Sequence, residues 1–364
     1  MSVRAAVVGL GWAGRELWLP RLRSHPDFDV VAVVDPDPAA RAAVGAATGT
    51  PAHAEPDALD PRSVDLAVVA VPNHLHTTVA AGLLGRGVSV FLEKPVCLSG
   101  AEADTLAAAE RDGGVLLAGS AARHRADVRE LAAALPELGR VRHVDLAWVR
   151  ARGVPRAGGW FTRRSEAGGG ALVDLGWHLV DTLTALLGPS PVRQAVGAVS
   201  DDFLNAGEWS AAWRREQPAA ALTGDVEDTA RGFLLREDGI SVSLRASWAS
   251  HEATDLSLIR IEGSAGTAEL RCTFGFSPNR QPESVLTLTR EGTTRRLPVP
   301  AEPVGAEYGR QLDGVPALLA DPAGRGRAIA EARTTVRLME RLYASARAGR
   351  DEPREPAYPQ TTSR

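Results

Sequence analysis

Five short, mostly apolar runs punctuate the first third of this 364-residue chain: Ala5–Val8, Val30–Val34, Leu66–Val71, Val88–Leu92 and Val115–Ala118. Strands without polar alternation are strands buried on both faces, and such strands belong to parallel sheets covered by helices on either side. The stretches between them, Ala13–Leu22, Pro38–Ala47, His74–Gly85 and Ser99–Arg111, are each long enough for a crossover helix. Ser99 with Glu102 three residues on fits a helix-opening capping box. The rhythm predicts an α/β chain that begins with a doubly wound parallel sheet of Rossmann type.

Beyond residue 122 the texture changes. Arg125–Leu135 and Gly170–Leu187 read as helices and Val141–Arg150 as a long strand. Val192–Val199, Thr229–Leu235, Ile240–Ser247, Asp255–Ile261 and Ala268–Cys272 read as strands with polar alternation. Val285–Thr289 and Arg295–Val299, separated by Arg-Glu-Gly-Thr-Thr, read as a hairpin, and helix returns at Tyr308–Leu319 and Arg325–Ala346. The expected organisation is a Rossmann domain over residues 1–121 and an α+β domain over 122–349 with a large, mostly antiparallel open sheet. The C-terminal helices lie within reach of the first domain, and residues 350–364, rich in Pro, Thr and charge, read as a disordered tail.

Composition excludes several classes. With 41 basic and 45 acidic residues the net charge is −4, which leaves no electrostatic footprint for nucleic acid or an anionic membrane surface. Two cysteines cannot build a disulfide framework, and no apolar run approaches the ~20 residues that span a bilayer. The N-terminus runs straight into a strand pattern without a signal-type segment, so the expected location is cytoplasmic. Among the basic residues, forty are arginine and one is lysine, Lys94. A codon bias explains trading Lys for Arg wherever any cation serves, which draws attention to the position where it did not.

The segment Gly9-Leu10-Gly11-Trp12-Ala13-Gly14 is a G-x-G-x-x-G motif between a predicted strand and a predicted helix. Gly9 allows the tight turn, Gly11 lets the backbone approach a pyrophosphate, Gly14 permits close helix–strand packing, and the helix opening at Trp12 and Ala13 favours an anion. Asp35, at the end of the second run, is placed to accept hydrogen bonds from ribose hydroxyls and to repel a 2′-phosphate. This favours NAD over NADP; Arg41 is the one nearby residue that argues the other way.

Ligands of open α/β sheets bind outside the carboxyl ends of the strands. Pro72, Asn73 and His76 follow one strand there, and Glu93, Lys94 and Pro95 follow another. The His74-x-His76 pair lacks an acid or thiol cluster that would make a metal site, so no metal is expected. Lys94 can donate to a substrate hydroxyl, stabilise charge as that hydroxyl loses its proton, and, unlike arginine, change its pKa on burial. Asp174 and His178, four residues apart after the glycine run 168–170, share one helical face, and Asp181 extends it. A neutral histidine is the usual proton acceptor near pH 7, and an adjacent Asp can orient it or hold a second hydroxyl. The same pair would serve equally as a helix-packing link.

Together these motifs resemble the Gfo/Idh/MocA family of sugar and cyclitol dehydrogenases. The resemblance rests on Gly9-x-Gly11-x-x-Gly14, Pro72-Asn73-x-x-His76, Glu93-Lys94-Pro95 and Gly169-Gly170-x-x-x-Asp174-x-Gly176-x-His178, and it covers most of the chain. It implies that Lys94 meets the reacting hydroxyl and the nicotinamide side of the site, that Asp174 binds and orients substrate, and that His178 is the general acid/base. It also implies a substrate-contacting Arg123, a substrate-side loop carrying Arg152 and Trp160, a cis Lys94-Pro95 peptide, and a homodimer or homotetramer. The expected reaction is NAD-dependent oxidation of a secondary hydroxyl on a sugar, aminosugar or cyclitol. The alternatives are an NADPH-dependent ketoreductase of a nucleotide-linked keto-sugar, an enzyme that recycles a tightly held NAD, and a silent NAD- or sugar-binding regulator. The chain departs from the family pattern at Arg123-His124-Arg125 and in an insertion over Ala206–Ala221 carrying Trp209, Trp213 and Arg214-Arg215. Trp148, Trp160 and these tryptophans could equally wall a sugar ring or fill core edges.

Overall fold

A computed structural model describes residues 2–111, 113–211 and 223–351. The first sheet is parallel throughout, in the order β3-β2-β1-β4-β5-β6. Its strands are β1 (Val3–Val8), β2 (Phe28–Val34), β3 (Ala52–His53), β4 (Leu66–Val69), β5 (Ser89–Leu92) and β6 (Leu116–Ala118). Alternate residues of these strands enter two different cores. Ala6, Val8, Val69 and Leu92 belong to one, and Val7, Leu66, Val68 and Phe91 to the other. Both faces are therefore buried, which is why the runs lack polar alternation. The two-residue β3 is too short to leave a hydrophobic pattern, and it is absent from the sequence reading.

Helix α1 (Ala13–Trp18, continuing as Leu19–Ser24) follows β1, and α2 (Pro38–Thr48) follows β2. Helices α3 (His76–Gly85) and α4 (Gly100–Arg111) complete the layers around the first sheet. Asp37 caps α2 by accepting from the Ala39 N–H at 2.9 Å.

The second sheet runs β14-β13-β12-β11-β7-β10-β9-β8 and is antiparallel except where β10 (Ser241–Ser247) lies parallel to β7 (Val141–Val149). The remaining strands are β8 (Val192–Ser200), β9 (Thr229–Arg236), β11 (Leu256–Gly263), β12 (Thr267–Cys272), β13 (Val285–Arg290) and β14 (Thr293–Leu297). The last hairpin is tighter than the sequence suggests. Its turn is Glu291-Gly292, with φ of 49° and 74°, a pair of left-handed residues suited to the twist of a two-residue hairpin.

Helices α5 (Ala126–Ala134) and α6 (Leu172–Gly176, continuing as Trp177–Leu187) pack with this sheet. Helix α7 (Ala306–Ala320) returns to the first sheet, where Leu312 and Val315 join the core of Val7, Trp18 and Phe91. Helix α8 (Arg327–Asp351) lies against α4 and β8. No helix among the described residues is long and apolar enough to cross a membrane. The expected tail at 352–364 and the Trp213, Arg214 and Arg215 part of the insertion lie outside the described residues.

Candidate active site

The glycine motif closes the end of β1. Gly9 has φ of 93°, and a Cβ there would lie 2.6 Å from the Ala70 carbonyl oxygen. A Cβ on Gly14 would lie 1.8 Å from the Gly9 oxygen, so the helix could not pack on the turn. At Gly11 a Cβ would meet nothing within 4 Å. The chain itself thus requires the first and third glycines, while the second faces open space. Trp12 is 56% exposed at this turn, and Ala13 begins α1. The Asp35 carboxylate sits under the loop, accepting from the Leu10 N–H at 2.6 Å and the Asp37 N–H at 2.8 Å. Arg41 donates to the carbonyl oxygens of Asp35 and Pro36 at 2.6 and 2.9 Å. Open backbone at a helix start, with a carboxylate at the end of the next strand, fits a dinucleotide.

The residues after β4 act mainly as ties. Pro72 leads into a short helical turn, Asn73–Leu75. The Asn73 amide is buried and donates to the Ala167 carbonyl at 2.9 Å, joining this rim to the loop before α6. His74 is exposed. His76, expected beside a cofactor, is instead 1% exposed, with Nδ1 2.7 Å from the Pro95 oxygen and Nε2 2.9 Å from the Val71 oxygen. Both ring nitrogens are engaged by backbone, so this side chain braces the Lys94-Pro95 turn from behind. That peptide is cis. No group of three or more His, Cys, Asp or Glu among the described residues is placed to hold a metal ion.

Lys94 and Asp174 come together. Lys94 Nζ donates to Asp174 Oδ1 at 2.6 Å, and the Trp248 indole N–H donates to Asp174 Oδ2 at 2.9 Å. The two side chains are 17% and 8% exposed. Arg150, at the end of β7, brings Nη1 to 4.0 Å from Asp174 Oδ2. Burial, helped by the charges of Lys94 and Arg150 and opposed by Asp174, pushes the His178 imidazole down to about 3, so it is neutral near pH 7. Its ring makes no hydrogen bond to any described residue and lies 5.4 Å from the Trp148 ring. The Phe161 ring centre is 5.9 Å from Lys94 Nζ and 6.0 Å from Trp248. A hydroxyl oxygen entering here would meet a cationic donor and a neutral base on an apolar, aromatic floor.

The glycine run seats the helix that carries Asp174 and His178. Gly168 has φ of 82° and ends a short helical turn, Arg164–Ala167. A Cβ on Gly169 would lie 2.1 Å from the Tyr343 hydroxyl oxygen, and one on Gly170 1.7 Å from the Glu227 carbonyl oxygen. Glu227 Oε1 accepts from the N–H groups of Gly170 and Leu172 at 2.9 and 3.1 Å and from the Tyr343 hydroxyl at 2.7 Å. The first turn of α6 is widened to a π-type turn over Leu172–Gly176, a local irregularity often found at functional sites.

Other nominated residues are placed differently. The Arg123 guanidinium binds both oxygens of Asp181 and, at 2.8 Å, Glu331 Oε2. Burial opposes that charge, but the two carboxylates outweigh it and raise the Arg123 pKa. Through Nε and Nη2 Arg123 ties α6 to α8, and Asp181 is likewise taken up. Arg152 is exposed and stacks over Trp209 at 5.2 Å. Trp160 packs edge-on against Phe161 at 4.8 Å, so Phe161 is the member of that pair beside Lys94. Sequence reasoning missed Arg150, Trp248, Glu227 and Tyr343. Trp248 directly follows β10, which packs on the first turn of α6, and no local motif announces that contact.

The chain is similar to known oxidoreductases along most of its length. The model of the oxidoreductase family with an NAD-binding Rossmann fold matches residues 3–120, and the model of the GFO/IDH/MocA C-terminal domain matches residues 127–269. The chain is 68% identical over 358 residues to a proposed UDP-kanosamine synthase oxidoreductase subunit of Amycolatopsis mediterranei (strain S699), covering 98% of this chain and all of that one. It is 33% identical over 202 residues to a dTDP-3,4-didehydro-2,6-dideoxy-alpha-D-glucose 3-reductase of Streptomyces antibioticus, covering 54% of this chain and 60% of that one. The crystal structure of GenD2 from gentamicin A biosynthesis in complex with NAD superposes with a TM-score of 0.74 at 27% identity, over 96% of this chain and 95% of that one.

Proposed function

Because this chain belongs to the Gfo/Idh/MocA family of oxidoreductases, we propose that it oxidises one secondary hydroxyl of a UDP-linked hexose to a ketone, with NAD as hydride acceptor. It is a sugar oxidoreductase acting on CH–OH groups. The observation that carries the proposed chemistry is the Lys94–Asp174 bond beside a His178 held neutral. Lys94 holds the substrate oxygen and stabilises the charge that grows as the hydroxyl proton leaves, and His178 takes that proton on a ring nitrogen. Asp174 keeps the ammonium in place while Trp248 keeps Asp174 in place. Such acid–base assistance contributes ~10²–10⁴-fold. Bound NAD supplies the acceptor for the carbinol hydride.

On this reading residues 1–121 hold the dinucleotide, with the pyrophosphate at Gly11 and the ribose at Asp35, and residues 122–349 hold the sugar. Arg41, engaged by backbone carbonyls, supports NAD over NADP. The UDP-linked substrate is supported by the 68% identity with the Amycolatopsis protein and narrows the wider class of sugars, aminosugars and cyclitols. Val196 and Phe233, paired across β8 and β9 and 65% and 50% exposed, support self-association through the open face of the second sheet.

The experiment is NADH formation from NAD with UDP-glucose, against glucose, glucosamine and myo-inositol. UDP-glucose is expected to be oxidised with a kcat/KM at least ~10-fold above the free compounds, a difference of about 1.4 kcal/mol in transition-state binding. Oxidation of a free sugar or cyclitol alone would overturn the nucleotide-linked reading. The Streptomyces relative favours a second reading, reduction of a nucleotide-linked keto-sugar. Turnover only with NADPH and a keto-sugar would establish it.

A further inference from the structure

Lys94 is held at both ends. Its ammonium meets Asp174, and its backbone N–H donates to Glu93 Oε2 at 3.0 Å. The other Glu93 oxygen, Oε1, accepts from the indole N–H of Trp18 at 2.7 Å. Trp18 is fully buried, and a buried indole N–H requires an acceptor. A carboxyl group held by one donor on each oxygen is fixed in orientation. From this geometry, and resting on the reading of Lys94 as the group that meets the substrate oxygen, we infer that Trp18 and Glu93 are positioning residues for Lys94. Glu93, expected from the sequence to contact cofactor, therefore has both oxygens engaged within the protein.

The indole is itself clamped by rings from distant parts of the chain. Phe91 lies edge-on at 4.8 Å and Tyr308, from α7, at 5.5 Å. Phe276, from the segment after β12, stacks on Tyr308 at 5.5 Å and meets Trp12 of the glycine motif at 5.3 Å. The packing leaves little slack, since a Cβ on Gly305 would lie 3.0 Å from the Phe276 ring and 2.6 Å from Arg21. Glu93 is thus held by an indole that rings from distant parts of the chain keep in place.

The single lysine makes this directly measurable. In protein labelled with ¹⁵N-lysine the one backbone amide signal belongs to Lys94, and that N–H is the one bound to Glu93. Trp18→Phe keeps an aromatic ring in the core while removing the N–H donor and part of the ring volume. It is expected to move the Lys94 signal and to lower kcat by ~10- to 100-fold, with KM and NAD affinity within about twofold, as for a displaced reacting group. Glu93→Gln, which leaves one acceptor oxygen for two donors, is expected to do the same and decides the question if Trp18→Phe does not fold. An unmoved signal in a folded variant, or a moved signal with kcat unchanged, overturns the inference. Lys94→Ala separates the two levels. If it turns over normally, the reading of Lys94 falls and the brace with it. If it is inactive while both brace variants are unimpaired, the brace alone falls.

Discussion

The molecule contains two glycine-rich turns, each opening a helix whose first turn is widened, over Ala13–Trp18 and Leu172–Gly176. They differ in what fills the space the glycines leave. At Gly11 nothing lies within 4 Å of the place a Cβ would take, whereas at Gly169 and Gly170 the Tyr343 hydroxyl and the Glu227 backbone occupy it. The first turn keeps room for something outside the chain, and the second is packed shut by the chain itself. Glu227 makes the contrast sharper. Its carboxylate accepts from two N–H groups at the start of α6, the part an anionic ligand would play at the start of α1. Similar composition therefore serves binding in one place and the fixing of Asp174 and His178 in the other.

The contrast can be broken most forcefully at Gly170. Gly170→Ala drives a methyl into backbone and is expected to destabilise the fold by about 3 kcal/mol or more, read from denaturant melts. A normal melt would mean that the second turn has slack. Lys94→Ala, which removes the bridge from the end of β5 to α6, should lower kcat by ~10²–10³-fold with NAD binding retained. Full turnover would remove the site from this position.

Gly11→Ala is the converse of Gly170→Ala. Its melting should match the parent, while NAD binds about tenfold more weakly, about 1.4 kcal/mol by calorimetry. Unchanged NAD affinity would show that the open space is not the pyrophosphate's. A further effect concerns pH. His178 is held below its ordinary 6.5, so its stabilising neutral form is fully present above about pH 6.5 and is lost as pH falls towards 3. His178→Asn should therefore lose less stability than the parent between about pH 6.5 and 4, and parallel melting curves would contradict the burial of that ring.

The two turns also mark where sequence is legible. The parallel strands announce themselves because both faces are buried, and Gly9, Gly11 and Gly14 because each glycine of that motif has a fixed local task. Lys94, Asp174 and His178 show through strand ends and helical spacing, both short-range signals. Trp248 and Glu227, from the segments just after β10 and just before β9, reach the site only through the way these segments pack on α6, and Tyr343 only through the docking of α8; no periodicity encodes such contacts. The partners of Arg123 show the same limit. An arginine at a domain join looks free in one dimension, and its partners Asp181 and Glu331 lie 58 and 208 positions away.

The Lys94–Asp174 bond joins positions 80 apart, and α6 is seated by a tyrosine from α8. Synthesis proceeds from the N-terminus, and domains tend to fold as they emerge. The glycine loop, Asp35 and Lys94 are thus synthesised long before α7 exists to fill the core beside Trp18 and before Tyr343 exists to anchor Glu227. Helices α7 and α8 close one half of the molecule each, so a chain stopped before them lacks part of the core under the glycine turn as well as the anchor of the helix that carries Asp174 and His178.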